Sequence, residues 1–324
     1  MKYIKIILLL LVLSASSFAQ LGGLPGAFTR MGFNARGIAM GNAMTSVTTG
    51  DVSGFYNPAL SSFQNDHLIN AGYSFLSLDR SLNFVSYTKN FKLPKQSEGG
   101  AGITFSWLNS GVGKIDGRDI DGFSIGELST SENQFLFAPS IMVSDKISLG
   151  VGFKLYYNKL YEGVSSTSFG FDLGGLYKVN DKINIGVTVK DINSKYDWNT
   201  NEIYGTSNGK QTKEKFPRLF TLGISYQLPK NFGLISIDYE TSNKKSNIIR
   251  IGTEINPVKD INFRAGIDRF DYSSEDKIGG SRAMFGIGYQ KSFKSYIIGI
   301  DYSFVIEPYT HNPFQTITAV FKLK

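Results

Sequence analysis

The chain alternates between apolar and polar residues over most of its length after residue 66. In KISLGVGFKLYY, residues 146–157, every second residue from Ile147 to Tyr157 is apolar, and serine, glycine and lysine stand between them. The stretch KINIGVTVKD, residues 182–191, repeats this arrangement. A period of two residues predicts β-strands that have one apolar and one polar face.

Fourteen such segments can be counted between turn residues. Many run about ten residues or more, whereas strands of soluble proteins usually have ~5–6. The longer connections include residues 111–131, 159–166 and 194–216, and they alternate with short ones. This layout predicts an all-β fold, a 14-stranded antiparallel transmembrane β-barrel with short periplasmic turns and longer outer loops. The segments lie near residues 67–78, 81–91, 100–110, 132–143, 146–158, 167–179, 182–193, 217–228, 231–241, 247–256, 260–271, 282–291, 295–306 and 313–323.

The polar face of these strands carries charged residues in mid-strand. Opposite charges inside a barrel usually pair with each other or with a plug, so we expect a luminal charge network. A path for ions or solutes is the alternative. The residues concerned are Arg250, Glu254, Arg264, Asp268 and Asp301.

Pro139 stands in the middle of the predicted strand QFLFAPSIMV. Proline cannot donate a ladder hydrogen bond, so it predicts a bulge or kink in the barrel wall. A local bulge is the simpler interpretation, and a lateral opening for a hydrophobic ligand or a partner is the alternative.

The first 19 residues have the layout of a signal peptide. Lys2 and Lys5 precede an apolar run over residues 6–13, and small residues lead to Ala19. The run is too short to span a bilayer as a helix, which needs ~20 apolar residues. We therefore expect cleavage after Ala19 and residence in the outer membrane of a Gram-negative bacterium, in contact with its lipid.

Composition and spacing exclude several kinds of site. The chain has no cysteine, so it has neither disulfides nor thiolate metal ligands. Its net charge of +7 is spread along the sequence, which argues against a nucleic-acid partner. His67 and His311 are predicted at opposite ends of the barrel, so no catalytic group is expected and the protein is predicted not to be an enzyme. The acidic residues of 116–127 lack calcium-loop spacing, and no metal or cofactor is predicted.

The predicted outer loop 194–216 contains Tyr196, Trp198 and Tyr204. Aromatic residues beside polar ones are typical of protein-interface anchors, which makes this the predicted partner loop. They are equally typical of residues that anchor a protein at the membrane surface. Both interpretations stay open.

Residues 20–65 precede the first predicted strand and are rich in small residues. The wall side chains of a fourteen-stranded barrel do not fill its lumen, so we expect this segment to fold with helical turns into the barrel as a plug. Asn57 and Pro58 suit a turn toward the wall. Asp51 is expected to cap a helix or to accept hydrogen bonds from Arg36. The barrel itself is predicted over residues 66–324.

The pattern ARGIAMGNA, followed by an aspartate and by Asn-Pro-Ala, resembles the N-terminus of the PorV/PorQ family of outer-membrane proteins, which is related to the FadL/TodX transporters of hydrophobic compounds. The resemblance covers Ala35 to Leu60 and implies a fourteen-stranded barrel with this segment at or inside its periplasmic mouth. The matched positions are Arg36, Gly37, Ala39, Met40, Gly41, Asp51, Asn57, Pro58 and Ala59.

The resemblance implies a function as well. PorV-like members serve type IX secretion, so the leading hypothesis is a non-enzymatic accessory that docks or shuttles secreted proteins and has secreted or translocon proteins as partners. FadL-like members bind a lipid and release it through a gap in the wall, so the alternative is a transporter of a hydrophobic small molecule. A passive diffusion channel is the second alternative.

Overall fold

The computed structural model describes residues 23–92, 100–270, 280–308, 310 and 312–324. Within these ranges, fourteen antiparallel strands form one closed barrel, which confirms the predicted fold and strand number. The predicted signal peptide, residues 1–19, lies outside the described residues, as does His311. No helix in the described ranges has the length and hydropathy needed to cross a bilayer.

The wall is closed by pairing of its first and last strands, with a register from His67↔Leu323 to Phe75↔Gln315. A separate two-stranded sheet, formed by Lys195–Asn199 and Gln211–Lys215, interrupts the order of the barrel strands along the chain. The strands are β1 (His67–Phe75), β2 (Arg80–Lys92), β3 (Gly100–Arg118), β4 (Ser124–Ser144), β5 (Ile147–Tyr161), β6 (Val164–Lys178), β7 (Ile183–Ile192), β8 (Lys195–Asn199), β9 (Gln211–Lys215), β10 (Leu219–Gln227), β11 (Gly233–Ser242), β12 (Asn247–Val258), β13 (Ile261–Phe270), β14 (Arg282–Ser292), β15 (Tyr296–Val305) and β16 (Phe314–Leu323).

The two faces of the wall differ as the alternation predicts. On β11, Ile235 and Ile237 are exposed on the outside, and Ser236 and Asp238, which alternate with them, are buried in the lumen. An apolar outer face suits lipid, and a polar inner face suits a filled lumen. β1 begins and β16 ends at the rim that has the short turns, which in such barrels is periplasmic.

Residues 23–65 lie inside the barrel and form short helical turns. They comprise a 3-10 turn at Ala27–Arg30, an α-helix at Ala35–Ala39 and a 3-10 helix at Pro58–Phe63. Polar side chains cap the last two: Asn34 accepts a hydrogen bond from the Gly37 N–H at 2.7 Å, and Asn57 accepts one from the Ala59 N–H at 3.0 Å. We call residues 23–65 the plug.

The plug runs from the outer end of the lumen to the periplasmic end. Leu24 packs against Leu219 and Ile248, at the outer ends of β10 and β12. Farther along, Thr49 donates a hydrogen bond to Gln227 at the periplasmic end of β10. The plug therefore spans the height of the wall.

Three predicted outer loops have a different structure. Most of 111–131 belongs to β3 and β4, and 159–166 contains only a tight turn between β5 and β6. The region 194–216 folds as β8, an α-helix at Asn201–Asn208 and β9. The ends of β3 and β4 and all of β9 were missed because they stand in solvent, where neither face must be apolar and the period-two pattern is lost.

Candidate functional site: the plugged lumen

Glycines of the wall make room for the plug. Gly41 has φ +62 and lies against β12 and β13, where a Cβ would stand 2.7 Å from the carbonyl oxygens of Ile251 and Ile267. A side chain there would therefore clash as well as strain the backbone. On the wall, a Cβ on Gly266 would collide with the backbone of Met40 and Gly41. Further close approaches join Gly102 to Ser61, Gly150 to Pro58, Gly174 to Asn57, Gly186 to Thr45, Gly252 to Met40 and Gly286 to Ala39.

Arg36 joins the plug to the lower of two charge clusters in the wall. Its Nε lies 2.8 Å from Oε2 of Glu254, and its Nη2 lies 3.0 Å from Oε1. Arg264 donates to the same Glu254 at 2.6 Å and to Asp301 at 2.6 Å. All four side chains are buried, so each charge is stabilised by its ion-pair partners instead of by water.

The upper cluster is centred on Arg250. Its Nε lies 2.7 Å from Asp268, and its Nη2 lies 2.9 Å from Glu240. Asn42 of the plug approaches the other oxygen of Asp268 at 3.4 Å. The five predicted luminal charges thus lie in two ion-paired clusters. Sequence reasoning missed two partners in the upper one, Glu240 and Arg269, whose Nε lies 3.7 Å from Asp268.

Asp51 has partners other than the expected ones. Arg36 donates to the main-chain carbonyl of Asp51 at 3.0 Å. The Asp51 carboxylate instead pairs with Lys322 of β16 and accepts a hydrogen bond from Gln290 of β14 at 2.8 Å. Burial raises the pKa of Asp51, but the positive charges of Lys322 and Arg36 outweigh burial and lower the pKa below its ordinary value. Asp51 therefore links the plug to the strand that closes the barrel.

Asn57 and Tyr56 hold the middle of the plug. The Asn57 amide donates to the carbonyl of Thr45 at 2.9 Å and to that of Gly175 in β6 at 3.1 Å. The Tyr56 hydroxyl accepts from the Phe33 N–H at 2.9 Å, and its ring leaves no space beside Gly37 for a Cβ. Burial raises the pKa of Tyr56 well above its ordinary value.

A third buried charge group lies across β5, β6 and the end of β7. Lys154 stands 2.8 Å from both Asp172 and Asp191, and the Tyr156 hydroxyl donates to Asp191 at 2.9 Å. The luminal positions of Lys154 and Asp172 follow from strand alternation. Asp191 has φ +60, so the period-two pattern gives no signal for its direction.

Tyr196 closes the outer end of the lumen instead of standing in solvent. Its hydroxyl accepts a hydrogen bond from the Gly26 N–H at 3.1 Å and donates to Glu132, and its ring packs against Phe216. Trp198 is half-buried beside it, whereas Tyr204 is exposed. The three predicted anchors therefore occupy different surroundings, and only Tyr204 is presented fully to solvent.

Free space is small in the middle of the lumen and larger at its periplasmic end, where two polar concavities of ≈ 320 Å³ and ≈ 310 Å³ lie beside Asn184 and Gln290. A cavity of ≈ 50 Å³ lies between the plug and the wall, beside Arg30, Tyr56, Gln134, Asp191 and Arg250. A water molecule needs roughly 10–15 Å³ measured in this way, so the cavity has room for a few waters and for no larger molecule.

An apolar concavity lies on the lipid face of the wall. It measures ≈ 600 Å³ across β1 to β6, and we call it the wall concavity. The rings of Phe105 and Phe137 stack there with centroids 4.8 Å apart, followed by Phe153 at 6.4 Å from Phe137. Its apolar lining includes Val85, Phe105, Phe135, Phe137, Phe153 and Phe169.

Pro139 lies next to this concavity. The register of β4 against β3 and β5 does not shift at Pro139, so the expected bulge is not found there. Pairing with β5 is instead interrupted between Phe137↔Phe153 and Ser140↔Gly150. The missing N–H of proline accounts for this gap in the ladder.

Solved structures with a similar barrel include two toluene transporters and a FadL homologue. The alignment with the toluene transporter TodX of Pseudomonas putida covers 90% of this chain and 97% of TodX, with a TM-score of 0.60 and 14% sequence identity. This chain has the FadL/TodX barrel fold. The alignment with a FadL homologue of Pseudomonas aeruginosa covers 90% of this chain and 98% of the homologue, with a TM-score of 0.54 and 14% sequence identity. The alignment with the toluene transporter TbuX of Ralstonia pickettii covers 90% of this chain and 97% of TbuX, with a TM-score of 0.51 and 13% sequence identity.

No family model and no curated protein matches the sequence. At 13–14% identity these neighbours share the barrel fold with this chain, and residence in the outer membrane and the absence of enzymatic activity stay predictions from the sequence. The neighbours do not show membership of the PorV/PorQ family, which stays a proposal. Within the described residues, no group of three or more acidic, histidine or cysteine side chains could hold a metal ion.

Proposed function

We propose that this barrel moves hydrophobic small molecules across the outer membrane by a route through its wall. The observation that carries the proposal is an uncharged sector of wall whose outer half is apolar on both faces. Leu82 and Phe84 of β2 and Leu108 of β3 are buried on the luminal side, and Val85 and Phe105 of the same strands face lipid. The names of two fold neighbours, both toluene transporters, support the same substrate class.

The luminal environment changes around the barrel. The buried side chains of β1, β2 and β3, over their described lengths, carry no charge. Those of β11 to β15 include the clusters around Arg250 and Arg264. An apolar molecule gains no favourable free energy from contact with paired charges. Contact with Phe84 and Leu108 is favourable, because it removes apolar surface from water. The uncharged sector is therefore the favoured path.

A sideways exit suits a plugged lumen. In the middle of the lumen the free space between the plug and the described wall is ≈ 50 Å³, which is too small for an organic molecule. The interrupted ladder at Pro139 lies beside the wall concavity, so this part of the wall has fewer hydrogen bonds to break. We propose that the plug moves away from this sector when a molecule passes, and that the molecule then leaves through the wall into the lipid.

A second candidate function is the PorV/PorQ-like role in type IX secretion, in which secreted or translocon proteins dock on the outer face. The sealed lumen favours it, since docking needs no passage, and the motif from Arg36 to Ala59 supports it by resemblance. Both candidates assume export by a leader, residues 1–19, that is cleaved after Ala19.

Uptake by whole cells tests the transporter. Apolar molecules cross a simple bilayer unaided, so the assay needs an intact outer membrane in a Gram-negative host that lacks its own transporters of this kind. We expect radiolabelled toluene to enter several-fold faster when the full chain is expressed. Phe137→Ser should reduce this gain, and Phe285→Ser, at a lipid-facing position on β14, should not.

The proposed transport function would be contradicted if toluene uptake equals that of cells without the barrel while the protein is folded in the outer membrane. The secretion role is then tested by cross-linked co-purification from native membranes. Recovery of secreted proteins that share a C-terminal sorting domain, or of a large translocon subunit, would support it. Their absence would contradict it.

A further inference from the structure

The β3–β4 hairpin rises beyond its neighbours on the outer side of the barrel. β2 pairs with β3 only as far as Val112, and β5 pairs with β4 only from Ser131. Beyond these points β3 and β4 pair with each other alone, up to Arg118↔Ser124. At ~3.3 Å per residue this two-stranded ribbon extends roughly 20 Å past the rim. We call residues 113–130 the arm.

The tip of the arm presents apolar side chains to solvent. Ile120 has a relative exposure of 101% and Phe123 of 71%, and Ile125 is also exposed. Single exposed apolar residues are ordinary, but several at the end of a projecting ribbon form a patch that usually marks an interaction site.

The tip is an ordered turn. The Asp119 carboxylate accepts hydrogen bonds from the N–H groups of Asp121 at 3.0 Å and Phe123 at 2.8 Å. Arg118 donates to the carbonyl of Gly122 at 3.0 Å and pairs with Asp116 at 2.7 Å. These bonds hold Ile120 outward instead of letting it fold back onto the ribbon, so the arm is prepared to bind without ordering a loop first.

The charges of the arm select the partner. Acidic side chains outnumber basic ones between residues 114 and 127, and Arg118 is already paired within the arm. No described side chain pairs with the carboxylates of Asp121 and Glu127 in a salt bridge. Such a surface repels the phosphates of an outer leaflet and attracts basic groups.

We propose that the arm is a docking site for an extracellular protein segment whose apolar side chains are flanked by lysine or arginine. Ile120 and Phe123 bury against the apolar part, and Asp121 and Glu127 pair with the basic flanks. This contact lies outside the lumen and is independent of any passage of hydrophobic molecules.

Photo-crosslinking in the native cells tests this proposal. The full chain carries p-benzoylphenylalanine in place of Ile120, and in a second strain in place of Tyr204, an exposed residue of another outer loop. We expect position 120 to capture one protein, through a peptide with apolar residues beside lysine or arginine, at a yield at least about fivefold above position 204. Asp121→Lys with Glu127→Lys should lower the yield about fivefold, and Glu202→Lys should not.

Four outcomes would overturn the proposal: no adduct above the level of position 204, an adduct with lipid, an adduct with a second copy of this chain, or a yield unchanged by the charge reversals. Heat-modifiable migration on gels confirms that each variant forms a barrel. Since the arm lies outside the wall, these substitutions leave the barrel ladder intact.

Discussion

Arg36 of the plug and Glu254 of β12 form a bidentate ion pair, with 2.8 Å between Nε and Oε2 and 3.0 Å between Nη2 and Oε1. Both are buried, and Arg264 contacts the same carboxylate. Removal of the plug would leave the wall with an incompletely paired charge cluster. The plug is therefore part of the electrostatic structure of the barrel.

Replacing Arg36 should loosen the plug. Arg36→Met leaves the Glu254 carboxylate with one guanidinium instead of two, and loss of a partner from a buried pair typically costs about 3 kcal/mol or more. The chain has no cysteine, so a single Ser46→Cys at a fully buried plug position reports accessibility to maleimide. We expect little labelling in the parent and rapid labelling with Arg36→Met.

Arg118→Met is the matched control, because the exposed pair of Arg118 and Asp116 contributes at most about 1 kcal/mol. Equal labelling rates for Arg36→Met and Arg118→Met would show that the Arg36 pair does not hold the plug.

A side chain on Gly266 should displace the plug from its seat. A Cβ there collides with the backbone of Met40 and Gly41, which cannot move as a flexible side chain would. With Gly266→Val we expect the barrel to form and Ser46→Cys to become reactive. Gly113→Val is the control, since nothing lies within 4 Å of its added Cβ. A protected Ser46→Cys in the Gly266→Val protein would contradict the close packing.

The periplasmic end of the plug should resist mild acid. The pKa of Asp51 is below its ordinary value in the folded protein, because Lys322 and Arg36 outweigh the effect of burial. A carboxylate whose pKa is lowered on folding stabilises the folded protein fully at pH values above its unfolded-state pKa of about 3.9. This stabilisation is lost as the pH falls through the lower folded-state pKa. A spin label at Thr49→Cys should thus stay immobile from pH 7 to 4 and gain mobility only below.

Asp51→Asn is the comparison for this titration. It removes the titrating group and the ion pair with Lys322, so the label should be more mobile at every pH and lose the acid transition. A transition near pH 5 or 6 in the parent would contradict the role given to Asp51.

The outer end of the plug should depend on the Tyr196 hydroxyl. Tyr196→Phe removes the acceptor of the Gly26 N–H and the donor to Glu132, and a buried group left without a partner costs about 1–3 kcal/mol. With a single Leu24→Cys, intact cells should label faster with an impermeant maleimide when Tyr196 is replaced. Tyr204→Phe, at an exposed position, should leave the rate unchanged. Equal rates for both would show that Tyr196 does not close the lumen.

Strand alternation was enough to predict the wall, because lipid on one side and a filled lumen on the other impose a strict period of two. The same rule put Arg250, Glu254, Arg264, Asp268 and Asp301 in the lumen. Alternation does not predict which of these charges form ion pairs, because the partners lie on different strands and one sequence does not reveal which residues are neighbours across strands.

The parts that escaped prediction lie where this constraint is absent. The arm around Ile120 stands in solvent, so its strands need no apolar face. Asp191 leaves the regular strand conformation with φ +60. The contact of Tyr196 with Gly26 joins residues 170 positions apart in the chain, and no local pattern records it.

We predict that residues 23–65 block the lumen, and conductance across a planar bilayer measures this block. The purified full chain should give no steady channel steps, whereas the Gly266→Val protein should give steps of defined size because its plug has left the wall. Steady open-channel conductance from the unaltered chain would contradict the seal and would favour a passive diffusion channel.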